Sequence, residues 1–404
     1  MFSRLPVLVI LATVVIDAMG IGLILPVMPD LIQEVAGGDI AQAAIWGGIL
    51  SAVFAVMQFI FGPFLGSLSD RFGRRPVLLV SLVVMSADYV VMALADTIWL
   101  LFLGRVIAGI TAATYATALA YMADISSPQD KARAFGVVGA GFGIGFVLGP
   151  VLGGVLAEFG TRAPFWAAAV LAGLNALLGW AVLSETVTDA TRRVFRWSRA
   201  NPLGSLMALG QLPAMGKLLM VFFLYQIAGA VWPSIWPYFT TEMFDWSPRM
   251  IGISLAAYGI GFALVQAFLI APSIKRFGNR LTVLIGLWIE VASFVFVAFV
   301  ANGMLLMAMI PVFALGAIGL PALQGILSRR VPDDSQGELQ GVLASLTSLA
   351  TILAPLVMTQ TFARFSGEDA TTYLPGAPFL VSAVLMVLAI LVFMGSRRPN
   401  SQPT

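Results

Sequence analysis

Twelve long apolar runs, each of about 20 residues or more, divide this sequence: 5–27, 43–66, 76–95, 98–123, 133–157, 163–184, 216–240, 248–273, 281–300, 303–328, 338–364 and 375–395. A helix of that length crosses the hydrocarbon core of a bilayer. Inside lipid every backbone N–H and C=O needs an internal partner, so only helices and closed barrels span it. Barrel strands alternate apolar and polar residues, and these runs do not. The fold expected is an all-α membrane protein with twelve transmembrane helices. Composition agrees: of 404 residues 59% are hydrophobic and 10% charged, whereas a soluble domain carries about a quarter of its residues charged. The first run is too long for a cleavable signal and lacks a small-residue cleavage site, so it is read as the first span.

Lys and Arg are spread unevenly over the connections. Eighteen of the 22 lie on the side of the N-terminus, three (Arg162, Arg249, Arg364) lie opposite, and Arg105 is inside a span. The positive-inside rule makes the rich side cytoplasmic, and an even number of spans puts both termini there. Residues 185–215 hold four arginines, Asn201-Pro202 and Gln211-Leu212-Pro213. They are expected to be a cytoplasmic linker between six-helix bundles at 1–184 and 216–404, the second ending in a short cytoplasmic tail. The bundles share an internal repeat: RFGRR at 71–75 meets RFGNR at 276–280, and the same offset of 205 carries Gly136 onto Gly341 and Pro150 onto Pro355. Six-helix halves related by a pseudo-two-fold axis along the membrane normal are a known plan of secondary transporters. The alternative is a duplicated scaffold without transport.

Of the twenty acidic residues, only Asp17, Asp88 and Glu290 lie well inside spans, and Arg105 is the one basic residue there. An ionisable group at the bilayer centre costs about 2.5–3.5 kcal/mol, so it usually faces a water-filled cavity or a partner. Three acids against one base favour a cavity that takes cations, protons, or both in turn. The plainer reading is that they pair with Arg105 or cap neighbouring helices, and for Asp88 that reading stands level with the functional one.

The second connection reads GPFLGSLSDRFGRRP at 62–76. Gly66 and Gly73 permit a tight turn and close helix approach. Asp70 either sits at a helix N-terminus, where the dipole favours negative charge, or pairs with an arginine. Such a latch could hold one conformation of a carrier; a bare positive-inside loop is the alternative. In the fifth span Gly141, Gly145, Gly149 and Gly153, with Pro150 among them, mark one helix face for near backbone contact. Close packing explains the stripe, and a hinge or a sealed contact between halves would also.

Several functions are excluded. With no Cys and no His, the chain has no disulfide, thiol nucleophile or Cys/His metal site. GQLPAMGKL at 210–218 has one residue too many for a phosphate-binding loop and no Ser or Thr after Lys217, and no G-x-G-x-x-G occurs. No nucleophile–base pair marks an enzyme. Transport energy would then come from an ion gradient. Phe59, Trp232, Trp236 and Tyr238 are candidates to line an apolar cavity, without the sequence selecting among them.

GSLSDRFGRRPVLLVSL at 66–82, GRVIAGITAAT at 104–114 and GPVLGG at 149–154 resemble the signatures of the major facilitator superfamily, specifically its drug:proton antiporters. IGLPALQGILSRRV at 318–331 and GELQGVLASLTSL at 337–349 resemble the bacterial tetracycline efflux proteins. The resemblance implies an exporter in the inner (cytoplasmic) membrane that takes a small-molecule drug, with no permanent cofactor, nucleic acid or obligate protein partner. It implies protons as the coupling ion and a drug carried as a monocationic complex with a divalent metal, Mg²⁺. Asp17 and Asp88 match acids tied to proton coupling and to the metal–drug cation. Asp70 with Arg74 matches the loop gate, within Gly66, Ser69, Asp70, Arg71, Gly73, Arg74 and Arg75. Arg105 with Gly109 matches the fourth-span motif, and Gln58 and Gln324 match polar positions near the substrate path. Two departures stand out: the ninth-span acid is Glu290 where the family usually has Asp, and the eighth-span histidine of several members is missing. The rivals are an exporter of other hydrophobic cations or sugars on the same fold, and a receptor or scaffold that transports nothing.

Overall fold

A computed structural model describes residues 4–127, 129–189, 192, 215–332, 335–367 and 370–396. Of the linker expected at 185–215 only 185–189, 192 and 215 are described, and the tail beyond 396 lies outside the described residues. Among the described residues every regular element is helical, and eleven helices are long and apolar enough to cross a membrane. One of them, Pro248–Phe299, runs 52 residues. At 1.5 Å per residue that is roughly 78 Å, more than twice a hydrocarbon core of about 30 Å. It breaks at Gly278 (φ 72°, ψ 163°), so it supplies the eighth and ninth spans and the total is twelve.

Gly278 has a counterpart in the first half. Gly73 (φ 114°, ψ 155°) separates the second span, Ile40–Phe72, from the third, Arg74–Leu94. Each glycine is the centre of its five-residue repeat segment, RFGRR or RFGNR, and side chains avoid such positive φ values. The Glu185 carboxylate fills the space a Cβ on Gly73 would take. It accepts the backbone N–H groups of Arg74 and Arg75 at 2.8 and 3.2 Å, a carboxylate capping a helix N-terminus. Arg75 donates to the carbonyl of Trp180 at 2.7 Å, in the last turns of the sixth span. Arg280, at the repeat position, donates to the carbonyls of Phe393 and Ser396 at 3.0 and 3.1 Å, at the end of the twelfth. In both halves an arginine opening the third helix thus closes the C-terminal end of the sixth.

The breaks in the spans also repeat. The first span bends through Leu25–Val27 between Arg4–Ile24 and Met28–Ala36, and the seventh at Ala230 between Gly216–Gly229 and Val231–Phe244, again 205 residues apart. The fourth unwinds at Ala112 and Ala113 between Ile98–Thr111 and Thr114–Ile125. The tenth tightens over Ala314–Ile318. Pro26, Pro237 and Pro311 remove backbone donors from three of these four helices.

Glycines bring helices together inside each half. A Cβ on Gly145, Gly149 or Gly153 would strike the carbonyl oxygen of Val15, Met19 or Leu23 of the first span, and Gly141 lies beside Leu11 and Val15. The stripe therefore joins two helices of one half. It is not the contact between halves that the sequence left open. Gly109 presses likewise on Phe54 and Met57 of the second span.

The halves meet along two seams at the end opposite the linker. In one, Gly252 of the eighth span lies against the Pro150 carbonyl, Gly154 against Pro248 and Arg249, and Gly259 against Val147. The ion pair Arg249–Glu158, 2.9 Å, crosses it. In the other, Gly48 of the second span lies against the Pro355 carbonyl and Thr359 of the eleventh, and Gly47 against Tyr238. Toward the linker end Gly62, Gly66, Gly136, Gly139 and Gly143 have open space where a Cβ would point. There the halves part. Gly66 lies within a helix, about five turns along the same face as Gly48, and takes no part in the turn; Gly73 alone makes it.

Gly73 and Gly278 differ in what surrounds them, since nothing lies near a Cβ on Gly278. Gly278→Ala should cost only the backbone term, about 1 kcal/mol, while Gly73→Ala should cost more by displacing Glu185. Thermal unfolding in detergent would show a larger drop in Tm for Gly73→Ala, and equal drops would deny Glu185 that seat.

Candidate functional site

Asp17 and Asp88 are buried in the first half, 9% and 5% exposed. Asp88, on the third span, forms an ion pair with Arg105 of the fourth. Gly104 leaves room for its carboxylate. Arg105 also reaches the Met92 sulfur at 2.8 Å and sits 5.6 Å from the centre of the Phe54 ring. Among the described residues one Asp88 oxygen has no hydrogen-bond partner. Asp17 lies at the Thr114 side chain, the first residue of the helix that resumes after the unwound Ala112–Ala113. Tyr89 comes between these groups: its hydroxyl rests at Gly20 on the first span, and it follows Asp88 in sequence.

Glu290 stands apart in the second half, 5% exposed. The Tyr225 hydroxyl donates to it at 3.4 Å, Trp232 and Tyr258 stand beside it, and Gly316 of the tenth span leaves room for its carboxyl. Trp232 in turn packs on Phe294, Phe313 and Phe379, with ring centres 5.4–5.7 Å apart. Asp17 and Asp88 thus belong to the first half and Glu290 to the second, each with its own set of neighbours. Among the described residues neither Asp17 nor Glu290 has a Lys or Arg within ion-pair distance.

At the linker end Arg74 binds Asp70 at 2.6 Å, Asp124 at 3.1 Å and the Ser69 hydroxyl at 3.2 Å. Asp70 sits in the last turn of the second span and pairs with an arginine, the second of its two expected settings. Glu185 takes the helix N-terminus instead. Thr186 donates to Asp124 at 2.9 Å, so the network ties the second, third, fourth and sixth helices of one half together. Arg71 is exposed. Gln58 is also exposed, on an arc of the second span between the Gly48 seam and the face under Gly109. Gln324 is exposed in Gly319–Ser328. Asp124, Glu185, Thr114 and Tyr225 were not singled out from sequence. For Asp124 and Glu185 a signal existed: both are acids at span ends on the side crowded with arginine.

The description of the Major Facilitator Superfamily matches residues 10–231 and again 218–404, one match for each half. The chain is 44% identical over 390 residues to the class C tetracycline resistance protein of Escherichia coli, covering 96% of each chain. It is 38% identical to the class G protein of Vibrio anguillarum, with 98% of each covered. Among solved structures, the nucleoside transporter NupG superposes with a TM-score of 0.80 at 13% identity, over 96% of this chain and 98% of that one. The human organic anion transporter MFSD10 (TETRAN) gives 0.69 at 23% identity, over 96% and 99%. These two support the fold alone. The chain is a multi-pass membrane protein that belongs to the major facilitator superfamily, within the family of the tetracycline resistance proteins.

Proposed function

We propose that this protein exports tetracycline-like drugs from the cytoplasm by alternating access, in exchange for protons, with the drug carried as its monocationic complex with Mg²⁺. The linker end, rich in arginine, is cytoplasmic, as are both termini, and the membrane is the bacterial inner membrane. The observation that carries this reading is the pair of buried carboxyl groups without a base, Asp17 and Glu290. An ionised carboxylate at that depth costs about 2.5–3.5 kcal/mol. A proton removes the cost, and so does a bound cation. Because the two compete for one group, loading the drug on one side releases a proton and loading a proton releases the drug. One proton crossing 100 mV supplies about 2.3 kcal/mol. Asp88 enters through Arg105: proton or drug must displace or share that partner. The full-length likeness to proteins named for tetracycline resistance supports the substrate, and the opening at the linker end is the access that cytoplasmic loading needs.

Everted vesicles containing the protein should accumulate tetracycline with Mg²⁺, and an uncoupler should abolish the accumulation. Uptake insensitive to the uncoupler would remove proton coupling. No uptake by folded, inserted protein would remove tetracycline as the substrate. Glu290→Gln and Asp17→Asn should each lower uncoupler-sensitive uptake at least about tenfold, the factor given by roughly 1.4 kcal/mol; full export by Glu290→Gln would count against its role.

The Asp88–Arg105 pair invites a separate test of stability. Arg105→Gln strands a buried carboxylate, which typically costs about 3–5 kcal/mol. Adding Asp88→Asn should return most of that loss. Thermal unfolding of the four proteins gives the coupling, and a double variant as unstable as the sum of the singles would show the two groups act independently.

A further inference from the structure

The fifth span presents three distinct faces. Gly145, Gly149 and Gly153 rest on the first span, while Val147, Pro150 and Gly154 meet the eighth. Val137, Ile144, Leu148, Leu152 and Val155 are exposed, at spacings of three, four and seven that draw one stripe along a helix; this is the lipid face. At about 100° per residue, Phe142 and Phe146 project from the side opposite that stripe, toward the protein interior. There Phe142 stands edge-on to Tyr115 of the fourth span, with ring centres 5.2 Å apart, and lies at 13° to Phe146 at 6.2 Å. Tyr115 is 38% exposed, and it directly follows Thr114, the residue at Asp17.

The eighth span answers in kind. Its lipid stripe is Ile253, Ile260 and Leu264, and its seam face is Gly252 and Gly259. Tyr258 and Phe262 project from the side away from that stripe, stacked at 6.3 Å and 29°, and Phe262 is 40% exposed. Tyr258 lies 6.1 Å from Trp232, ring centre to centre, beside Glu290. Val147 touches Gly259, so each aromatic row begins beside this contact and extends toward the linker end, where the halves part. The rows thus flank the apex of the opening, one leading to Asp17 and the other to Glu290.

We propose that Tyr115, Phe142 and Phe146 of one half and Tyr258 and Phe262 of the other are the walls of the ligand site, clasping the flat fused-ring body of an aromatic ligand. The ligand's identity as a tetracycline rests on the function proposed above; the class, a planar polycyclic molecule, rests on the rings. Aromatic faces select flat π-systems by stacking, and offset or edge-on contacts add to what apolar burial gives. Because the rows belong to different halves, a ligand held by both is gripped only while the halves keep this spacing.

The test is binding to the purified protein, using tetracycline with Mg²⁺ and, separately, acridine orange and tetrabutylammonium. Tyr115→Leu, Phe142→Leu and Phe262→Leu should each raise the Kd for tetracycline and for acridine orange about three- to tenfold, the range for one lost aromatic contact. Tyr115→Phe and Phe142→Tyr should stay within about twofold of the parent, because a ring is kept. Tetrabutylammonium, a cation of similar bulk without a ring, should show no such dependence. Tyr115 and Phe262 are exposed, so their leucine variants should keep the parental unfolding temperature and separate binding from folding. Leucine variants that bind tetracycline as tightly as the parent would overturn the site and leave the transport reading standing. Acridine orange binding that depends on the rings, beside a parent that binds no tetracycline, would support the site and overturn the drug.

Discussion

In lipid, two helices gain little from the hydrophobic effect by touching, because the acyl chains they leave are as apolar as the side chains they meet. Association must come from close van der Waals contact and from polar groups, and both need the backbones near. This protein meets the requirement with glycine, 40 residues of 404. The fifth span lies on the first through Gly145, Gly149 and Gly153, the fourth on the second through Gly109, and the ninth on the tenth where Gly286 faces Gly319. Each half is therefore a tight bundle before any charge is considered. A smaller set, Gly48, Gly154, Gly252 and Gly259, holds the bundles together at one end only.

Charge is then arranged against that frame. Each third helix of a half, at Asp88 and at Glu290, sets an acid onto a glycine of the next span, Gly104 or Gly316. The halves diverge in what answers the acid. Arg105 does so in the first, and it also rests against a sulfur and a ring that tolerate a weakly hydrated guanidinium. In the second half the Tyr225 hydroxyl and the rings of Trp232 and Tyr258 neighbour the acid instead. The duplicated scaffold thus carries unequal chemistry in its two halves.

Much of this was legible in sequence. The span count followed from run length and the repeat from RFGRR and RFGNR, while the Asp88–Arg105 pair stood as one of two level readings of Asp88. What was not legible depends on which helix lies beside which. The glycine stripe at 141–153 specified close approach but not its target, and the first span was no more evident than the opposite half. Asp70 and Glu185 are both acids near helix ends, yet only chain geometry decides which one caps Arg74 and which one pairs with its guanidinium. The depth of Asp17, Asp88 and Glu290 came from counting residues. The neighbours that surround each of them did not, because counting gives height along a helix and says nothing of its azimuth.

Each seam between the halves has a proline carbonyl facing a glycine, Pro150 with Gly252 and Pro355 with Gly48, and the exposed Arg249–Glu158 ion pair crosses the first. The other contacts are mostly small, Gly154 on Pro248 and Gly259 on Val147, with the Tyr238 ring against Gly47 the large side chain among the described ones. Such faces behave like a plain bearing: they lie flush when pressed together, and they separate or slide with few side chains to withdraw first. Bulk that would have strengthened the closed joint is scarce at these positions, and so is the friction it would have brought.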